Sequence, residues 1–350
     1  MASHQTNKTD IISFMELAAN TPVVDVRSPS EFRAGHIPGA HNIPLFNDAE
    51  RAEVGTRYKK EGSLNAILEG IRLSGPVMHL KLEEALRVAG EEKRLLVHCW
   101  RGGMRSEAMA WLFSLGGIET HILEGGYKAY RRHVLETLSA KRDMIILGGL
   151  TGSGKTHILK YIEEKGNQVI DLEHLANHKG SAFGSLGQPA QPSSEHFSNM
   201  LFGKLSLTDP EKPVWLEDES RNIGMVFMPE EFYLNIQSSP AVILMMDINT
   251  RLPRLMEEYS CYPPELLLRS VMKISKRLGG DRTREAVDAV NNGDFATAIA
   301  ITLQYYDKAY RYSLNRKPQE LLHYVNTDTD DVEINAGRIL EAAGRLKKSL

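Results

Sequence analysis

The sequence predicts two successive α/β domains, each a parallel sheet covered by helices, with a helical C-terminal region attached to the second. Three observations carry that prediction. Short apolar, β-branched runs recur ahead of Gly-rich or acidic turns: PVVDVR, RLLVHC, DMIILGG, NQVIDL, VWLED and AVILMMD. Amphipathic stretches of helical length separate them, which is the alternation of strand-crossover units. The chain's 350 residues also exceed what one compact core ordinarily holds.

In chain order, PVVDVR is the first clear strand, and RLLV the strand that ends at Cys99 ahead of a helical stretch, EAMAWLFSL. GGYKAYRRHVLETLSAKRD has helical spacing and stops at Asp143, before the strand MIILG. The domain boundary is therefore placed near residue 140, separating a domain at 1–138 from one at 139–350. MIILG leads through a Gly-rich turn into HILKYIEEKG, which has helical spacing, and further strands end at Asp171, Asp218 and Asp247. SAFGSLGQPAQPSSEH, rich in Gly, Pro and Ser, reads as a long loop. From Glu265 onward ELLLRSVMKISKRLGG and ATAIAITLQYYDKAYRYSL are helical.

Composition narrows the function classes. A hydrophobic fraction of 42% fits a globular chain, and a formal charge of -3 supplies no global basic field, so nucleic-acid contact requires a local patch. Cys99 and Cys261 form no CxxC pair, which fits a reducing cytoplasm. The polar N-terminus and the lack of a long apolar run argue against a signal peptide or a membrane span. Cys261, between Tyr259 and Pro263, is expected to be structural.

Cys99 lies in HCWRGGMRS, where a strand end curls into a helix N-terminus. Unpaired amides there favour an anion, Arg101 and Arg105 add fixed positive charge, and Gly102 and Gly103 let the backbone turn inward. The same field lowers a thiol pKa, making Cys99 a candidate catalytic nucleophile with Arg101 and Arg105 beside it. Asp25 and Arg27 are expected to form a structural ion pair and His36 to order a turn.

The second candidate site is GLTGSGKT at 149–156, which fits G-x4-GK[ST] between a strand and a helix. Gly149, Gly152, Ser153 and Gly154 supply the loop, Lys155 a point charge, and Thr156 a ligand for Mg²⁺. Asp171 and Asp218 are candidate contributors at strand ends, with Glu217 and Glu219 able to share the role; a strand-terminal aspartate is as often a helix cap. No base-reading motif such as NKxD is present, so the loop identifies a polyphosphate without reading a base, and a diphosphate other than a nucleotide fits it as well.

The run PVVDVRSPSEFRAGHIPGAHNIP, with HCWRGGMRS and GGYKAY, resembles rhodanese-homology domains over roughly residues 10–135. That resemblance implies sulfur or selenium transfer. Five residues separate Cys99 from Arg105, where many rhodaneses have four, and HC-x2-G-x2-R-S is also the cysteine phosphatase signature. Those residues leave phosphatase and chalcogen transferase open; the longer loop suits a tetrahedral anion, and selenophosphate satisfies both.

The order of this loop, the P-loop, DLEHLANHKGSAFG at 171–184, LEDESRNIG at 216–224, RLGG at 277–280 and QYYDKAY at 304–310 resembles the bacterial tRNA 2-selenouridine synthase family over nearly the whole chain. The resemblance implies conversion of wobble 2-thiouridine to 2-selenouridine with selenophosphate, through an S-geranylated intermediate made from geranyl diphosphate. It gives the P-loop the departing diphosphate to stabilise and routes selenium through the Cys99 loop, where a low-pKa thiol favours a covalent relay. It also implies the anticodon region of tRNA as partner and a selenophosphate-supplying enzyme upstream. Arg221, Arg251, Arg254, Lys308, Arg311 and Arg316 are candidate RNA-phosphate contacts, and Tyr305, Tyr306, Tyr310 and Tyr312 candidate stacking residues. His174, His178 and Lys179 are placed to line a cleft. The rival readings are a cysteine-dependent phosphatase with a nucleotide-binding domain and a nucleotide-regulated tRNA-binding adaptor.

Overall fold

The computed structural model describes residues 6–346. The chain divides into two compact units, Met1–Thr137 with Ser198–Phe202, and Leu138–Phe197 with Gly203–Leu350.

The first unit holds a five-stranded parallel sheet of β1 (Thr6–Thr9), β2 (Val23–Asp25), β3 (His41–Asn42), β4 (Arg94–His98) and β5 (Glu119–Leu123), in the order β1-β5-β4-β2-β3. β4 is central, with Val97 opposite Val24 on one side and Ile122 on the other. Leu95, Leu96 and Val97 are all inaccessible to solvent. An unbroken apolar run is what a strand covered on both faces requires. Helix Met104–Leu115 buries Met109, Ala110, Leu112 and Phe113, and ends at the Gly116-Gly117 turn. β1, of sequence TNKT, carries no apolar signal and occupies an edge.

The second unit is built on another five-stranded parallel sheet: β6 (Met144–Gly149), β7 (Gln168–Ile170), β8 (Val214–Glu217), β11 (Ala241–Met246) and β12 (Leu322–Thr327), ordered β12-β11-β6-β8-β7. A short antiparallel pair, β9 (Asn222–Ile223) and β10 (Val226–Phe227), stands apart. β6 is buried along its whole length between β11 and β8. Its C-terminal end is therefore the natural ligand position of a doubly wound sheet.

Helices Pro264–Lys273, Gly280–Asn291 and Phe295–Leu314 share a core with helix Ile248–Tyr259 through Leu255, Tyr259, Leu267, Val271, Ala286, Val290, Ile299 and Leu303. The C-terminal region is not wholly helical: β12 returns to the sheet at its edge, with alternating burial along LHYVNT. The loop expected through SAFGSLGQPAQPSSEH ends earlier, because the Ser193 side chain accepts the His196 N–H and starts helix Ser194–Ser206. Among the described residues no helix is long and apolar enough to cross a membrane.

Candidate active site

In the first unit, β4 delivers Cys99 into a loop that is closed by glycines from a distant turn. Gly102 has φ +68°, and a Cβ there would come within 2.4 Å of the Leu123 carbonyl. Gly126 has φ +59°, and its Cβ would come within 2.4 Å of both the Cys99 carbonyl and the Gly102 nitrogen. With no side chain to intervene, Tyr127 N–H donates to the Cys99 carbonyl at 2.8 Å and Lys128 N–H to that of Trp100 at 3.0 Å. The GG of GGYKAY is thus a backbone clamp on the thiol loop.

The Cys99 side chain is buried, its Sγ 3.3 Å from Ser106 Oγ. Burial pushes the thiol up; the Ser106 hydroxyl, the N–H groups of Arg101 and Ser106 and the Arg105 charge outweigh it, so the thiol titrates below its ordinary value. Cys99 and Arg105 are brought together, but Arg105 is shared with Glu31, at 2.8 Å, and Arg51 lies 3.6 Å from the same carboxylate. The Arg101 side chain is exposed, and its backbone amide rather than its guanidinium acts on the thiol. Ser106 and Glu31 were missed in the sequence; Ser106 is the last residue of HCWRGGMRS, while Glu31 gives no signal beyond helix capping.

Asp25 and Arg27 form a fully buried ion pair at 2.6 Å, and Arg27 also donates to the Gly35 carbonyl at 2.7 Å. The Arg27 guanidinium lies 3.7 Å from the Tyr127 ring centroid. His36 stacks on Phe32 and bonds its carbonyl at 2.9 Å, ordering the turn.

In the second unit, the P-loop lines a cavity of about 660 Å³. Gly149, Gly152, Gly154, Lys155, Thr156, Asp171 and Asp218 all reach it. Ser153 does not: its N–H closes the turn onto Leu150 at 3.1 Å, and its side chain is buried. Gly152 and Gly154 have φ of +82° and +78°, and their missing side chains make room for Leu255 and Arg254. Lys155 Nζ donates to the Gly149 carbonyl at 3.1 Å.

The strand-end acids divide. Asp171 caps helix Leu172–Ala176 by accepting the His174 N–H at 2.7 Å, and Asp247 caps helix Ile248–Tyr259. Asp218 is engaged by Lys317 and by the Tyr310 hydroxyl at 2.9 Å, and that hydroxyl accepts the Gly149 N–H at 2.9 Å. The acid nearest the loop threonine is Glu173, whose Oε2 accepts from Thr156 Oγ1 at 3.3 Å. Burial and the Glu173 charge push Glu219 up to about 8. Burial, with Asp171 and Glu173, also raises Glu217. Among the described residues no group of three or more His, Cys, Asp or Glu side chains is arranged to hold a metal ion. Thr156 and Glu173 offer hard oxygen donors, which fit an Mg²⁺ that draws its remaining ligands from phosphate and water.

One RNA-contact expectation is corrected. Arg251 is 1% exposed and pairs with Asp307 at 2.6 Å. Arg254 lines the P-loop cavity, and so do Tyr305, Tyr306 and Tyr310. The hydroxyls of Tyr306 and Tyr310 are taken up by the Ala182 and Gly149 amides. Arg221 pairs with Glu230 at 3.3 Å. Lys308, Arg311, Tyr312 and Arg316 are exposed. His174 and Lys179 line the cavity, whereas His178 is buried and does not. Cys261 is exposed rather than structural, its Sγ 3.5 Å from the Glu258 carbonyl.

Comparison with known proteins follows the same two-part division. The rhodanese-like domain profile matches residues 13–133, and that of the tRNA 2-selenouridine synthase AAA domain matches residues 142–335. A tRNA 2-selenouridine synthase of Nitrosomonas europaea is 35% identical, the alignment covering 85% of this chain and 90% of the relative. The protein of that name from Bordetella petrii is 34% identical, with 90% and 93% covered. Aligned relatives of one name span both units, and the chain belongs to the tRNA 2-selenouridine synthase family.

Proposed function

We propose that the chain converts wobble 2-thiouridine of tRNA to 2-selenouridine in the cytoplasm, through an S-geranyl intermediate, using geranyl diphosphate and then selenophosphate. The observation that carries this reading is the Cys99 loop, which sets a depressed thiol against inward backbone amides, a serine hydroxyl and Arg105. It is a cradle for a tetrahedral anion with a nucleophile at its floor.

In the first reaction the 2-thio sulfur attacks C1 of the geranyl group, the C1–O bond breaks, diphosphate leaves, and the base loses its N3 proton. Lys155 and the loop amides hold the diphosphate as its charge grows. Thr156 and Glu173 would hold an Mg²⁺, which would supply further charge neutralisation to that leaving group.

The second reaction constrains Cys99 by oxidation state. Selenium in selenophosphate is already at the selenide level, so moving it onto the thiolate as a perselenide with release of phosphate requires an oxidant. The balanced order instead has selenium attack C2 while the C2–S bond breaks and geranyl thiol departs with one proton. Cys99 then attacks phosphorus, the P–Se bond breaks, and the selenouridine anion leaves and is protonated. Water cleaves the resulting S-phosphocysteine. This order gives the phosphatase-like spacing of Cys99 and Arg105 a role within selenation, since Arg105 neutralises the transferring phosphoryl group.

The test is single-turnover mixing of full-length protein, S-geranyl tRNA and selenophosphate, with mass analysis of the trapped peptide containing Cys99 and of digested tRNA. A phosphorylated Cys99 appearing with 2-selenouridine is expected. A selenium adduct on Cys99 formed before any attack on tRNA would replace this order with a relay, and unchanged S-geranyl tRNA would remove the selenation reading itself.

A further inference from the structure

We propose that Arg254 is a second phosphate-binding cation of the P-loop cavity, acting with Lys155 on the diphosphate of the donor. The assignment rests on the reading of that cavity as a diphosphate site.

The placement of Arg254 is set by the helical period. On helix Ile248–Tyr259, positions 251, 254 and 255 share one face, and all three meet the phosphate loop. Arg251 donates to the Thr151 carbonyl at 2.9 Å, and Leu255 fills the space beside Gly152. Arg254 covers Gly154: a Cβ there would lie 1.5 Å from Nη1 and 2.7 Å from Cζ, so the guanidinium stands where a side chain would begin.

The charge of Arg254 is fixed in position and, among the described residues, faces only a long, solvent-exposed ion pair. Nη2 donates to the main-chain carbonyl of Asp330 at 2.7 Å, a neutral acceptor, while the Asp330 carboxylate is 3.8 Å away and more than half exposed. Among the described residues no acceptor meets Nη1 or Nε, although the side chain is only 18% exposed. The cavity wall carries four Lys and Arg residues: Lys155, Lys179, Arg254 and Lys317. Lys179 is committed to Glu258 and Lys317 to Asp218. Lys155 and Arg254 remain for an anion, in a wall that also presents Asp171, Glu173 and Glu219. One lysine is a point charge; a guanidinium adds a planar fork that matches two phosphate oxygens at once.

Inorganic pyrophosphate titrated calorimetrically into the full chain tests this without tRNA or prenyl donor. Arg254→Gln is expected to weaken binding about tenfold or more, and to make the fall of affinity with salt shallower, which a packing defect would not do. Arg254→Lys keeps the charge without the fork and is expected to fall between; it decides the matter if the glutamine variant melts below wild type, and wild-type affinity in it would then overturn the proposal. Unchanged affinity in a folded Arg254→Gln variant, with Lys155→Ala weakened, would overturn it while leaving the cavity a diphosphate site. Absence of pyrophosphate binding by the wild-type chain would overturn both. An obligatory requirement for ATP in place of geranyl diphosphate would remove the donor assignment and leave a positive Arg254 result standing.

Discussion

Arg251 donates through Nη1 to the carbonyl of Thr151 at 2.9 Å while its guanidinium pairs with Asp307 at 2.9 and 2.6 Å. The phosphate loop is thus tied to a buried ion pair between two helices. Arg251→Met leaves Asp307 without its counter-charge, and the expected loss is on the order of 3 kcal/mol of unfolding free energy. Arg251→Met with Asp307→Leu recovers most of that stability but not the Thr151 contact, so its pyrophosphate affinity stays low. Denaturant titration with calorimetry checks both; a single variant as stable as wild type would remove the pair from the framework of the loop.

Loss of Lys155 and loss of Cys99 are expected to arrest the chemistry at different points. Lys155→Ala impairs S-geranylation, and supplying S-geranyl tRNA bypasses much of the defect. Cys99→Ser forms geranylated tRNA and fails to complete selenation from it. Mass spectrometry of digested tRNA from each variant with each substrate distinguishes them, and equal loss of geranylation in both would contradict the division of labour.

Gly126→Ala tests the clamp on the thiol loop. The added Cβ meets two backbone atoms at 2.4 Å, and φ is +59°, so no side-chain rearrangement relieves it. The expected cost is about 2 to 4 kcal/mol, together with a rise in the Cys99 thiol pKa as the loop amides shift. Thermal melting and ultraviolet thiolate titration follow the two effects; a variant with wild-type values for both would show the clamp to be dispensable.

Glu219 links stability to pH. Its carboxyl keeps its proton up to about 8 in the native chain and loses it near the ordinary 4.5 when unfolded. The native state therefore binds more protons across that interval, and this group's contribution makes stability fall as pH rises through it. Glu219→Gln is expected to flatten that part of the profile and to raise the melting temperature relative to wild type most at the alkaline end. Parallel curves for the two proteins from pH 5 to 8 would place the proton elsewhere in the acidic wall.

With Lys308, the exposed arginines Arg311 and Arg316 remain as basic candidates for RNA phosphate. The double charge reversal Arg311→Glu, Arg316→Glu should weaken tRNA binding and lessen its dependence on salt, because fewer counterions are released. Filter binding across a salt series measures it, and wild-type affinity at every salt would clear this helix end of RNA contact.

What was legible in the sequence follows from what each signal measures. β4 and β6 could be read because strands buried on both faces are apolar without interruption, and the two loops because glycines and cations stand at fixed spacing beside them. β1 and β12 could not: one is polar at a sheet edge, the other exposes Tyr324 and Asn326 beside the half-buried His323 and Val325 in a stretch following long helices. The anion-loop residues were found, but Glu31, Glu173 and the partners of Arg251 depend on contacts between distant segments, which spacing along the chain does not encode. Arg254 is legible in the sequence as a phosphate-seeking cation, but its place on the P-loop cavity wall is not, for the same reason.

The hydrogen bond from Gly149 to Tyr310, with Asp218 and Lys317 behind it, joins the first glycine of the phosphate loop to a helix 161 residues later. A strand, loop and helix of this type is often treated as a portable cassette, but here it is not one. A fragment ending before Tyr310 would leave the Gly149 amide without its acceptor and Asp218 without either partner. Any fusion or shuffled protein that borrows this phosphate loop must therefore carry the chain through Lys317, so the smallest heritable unit of the second half is nearly the whole of it.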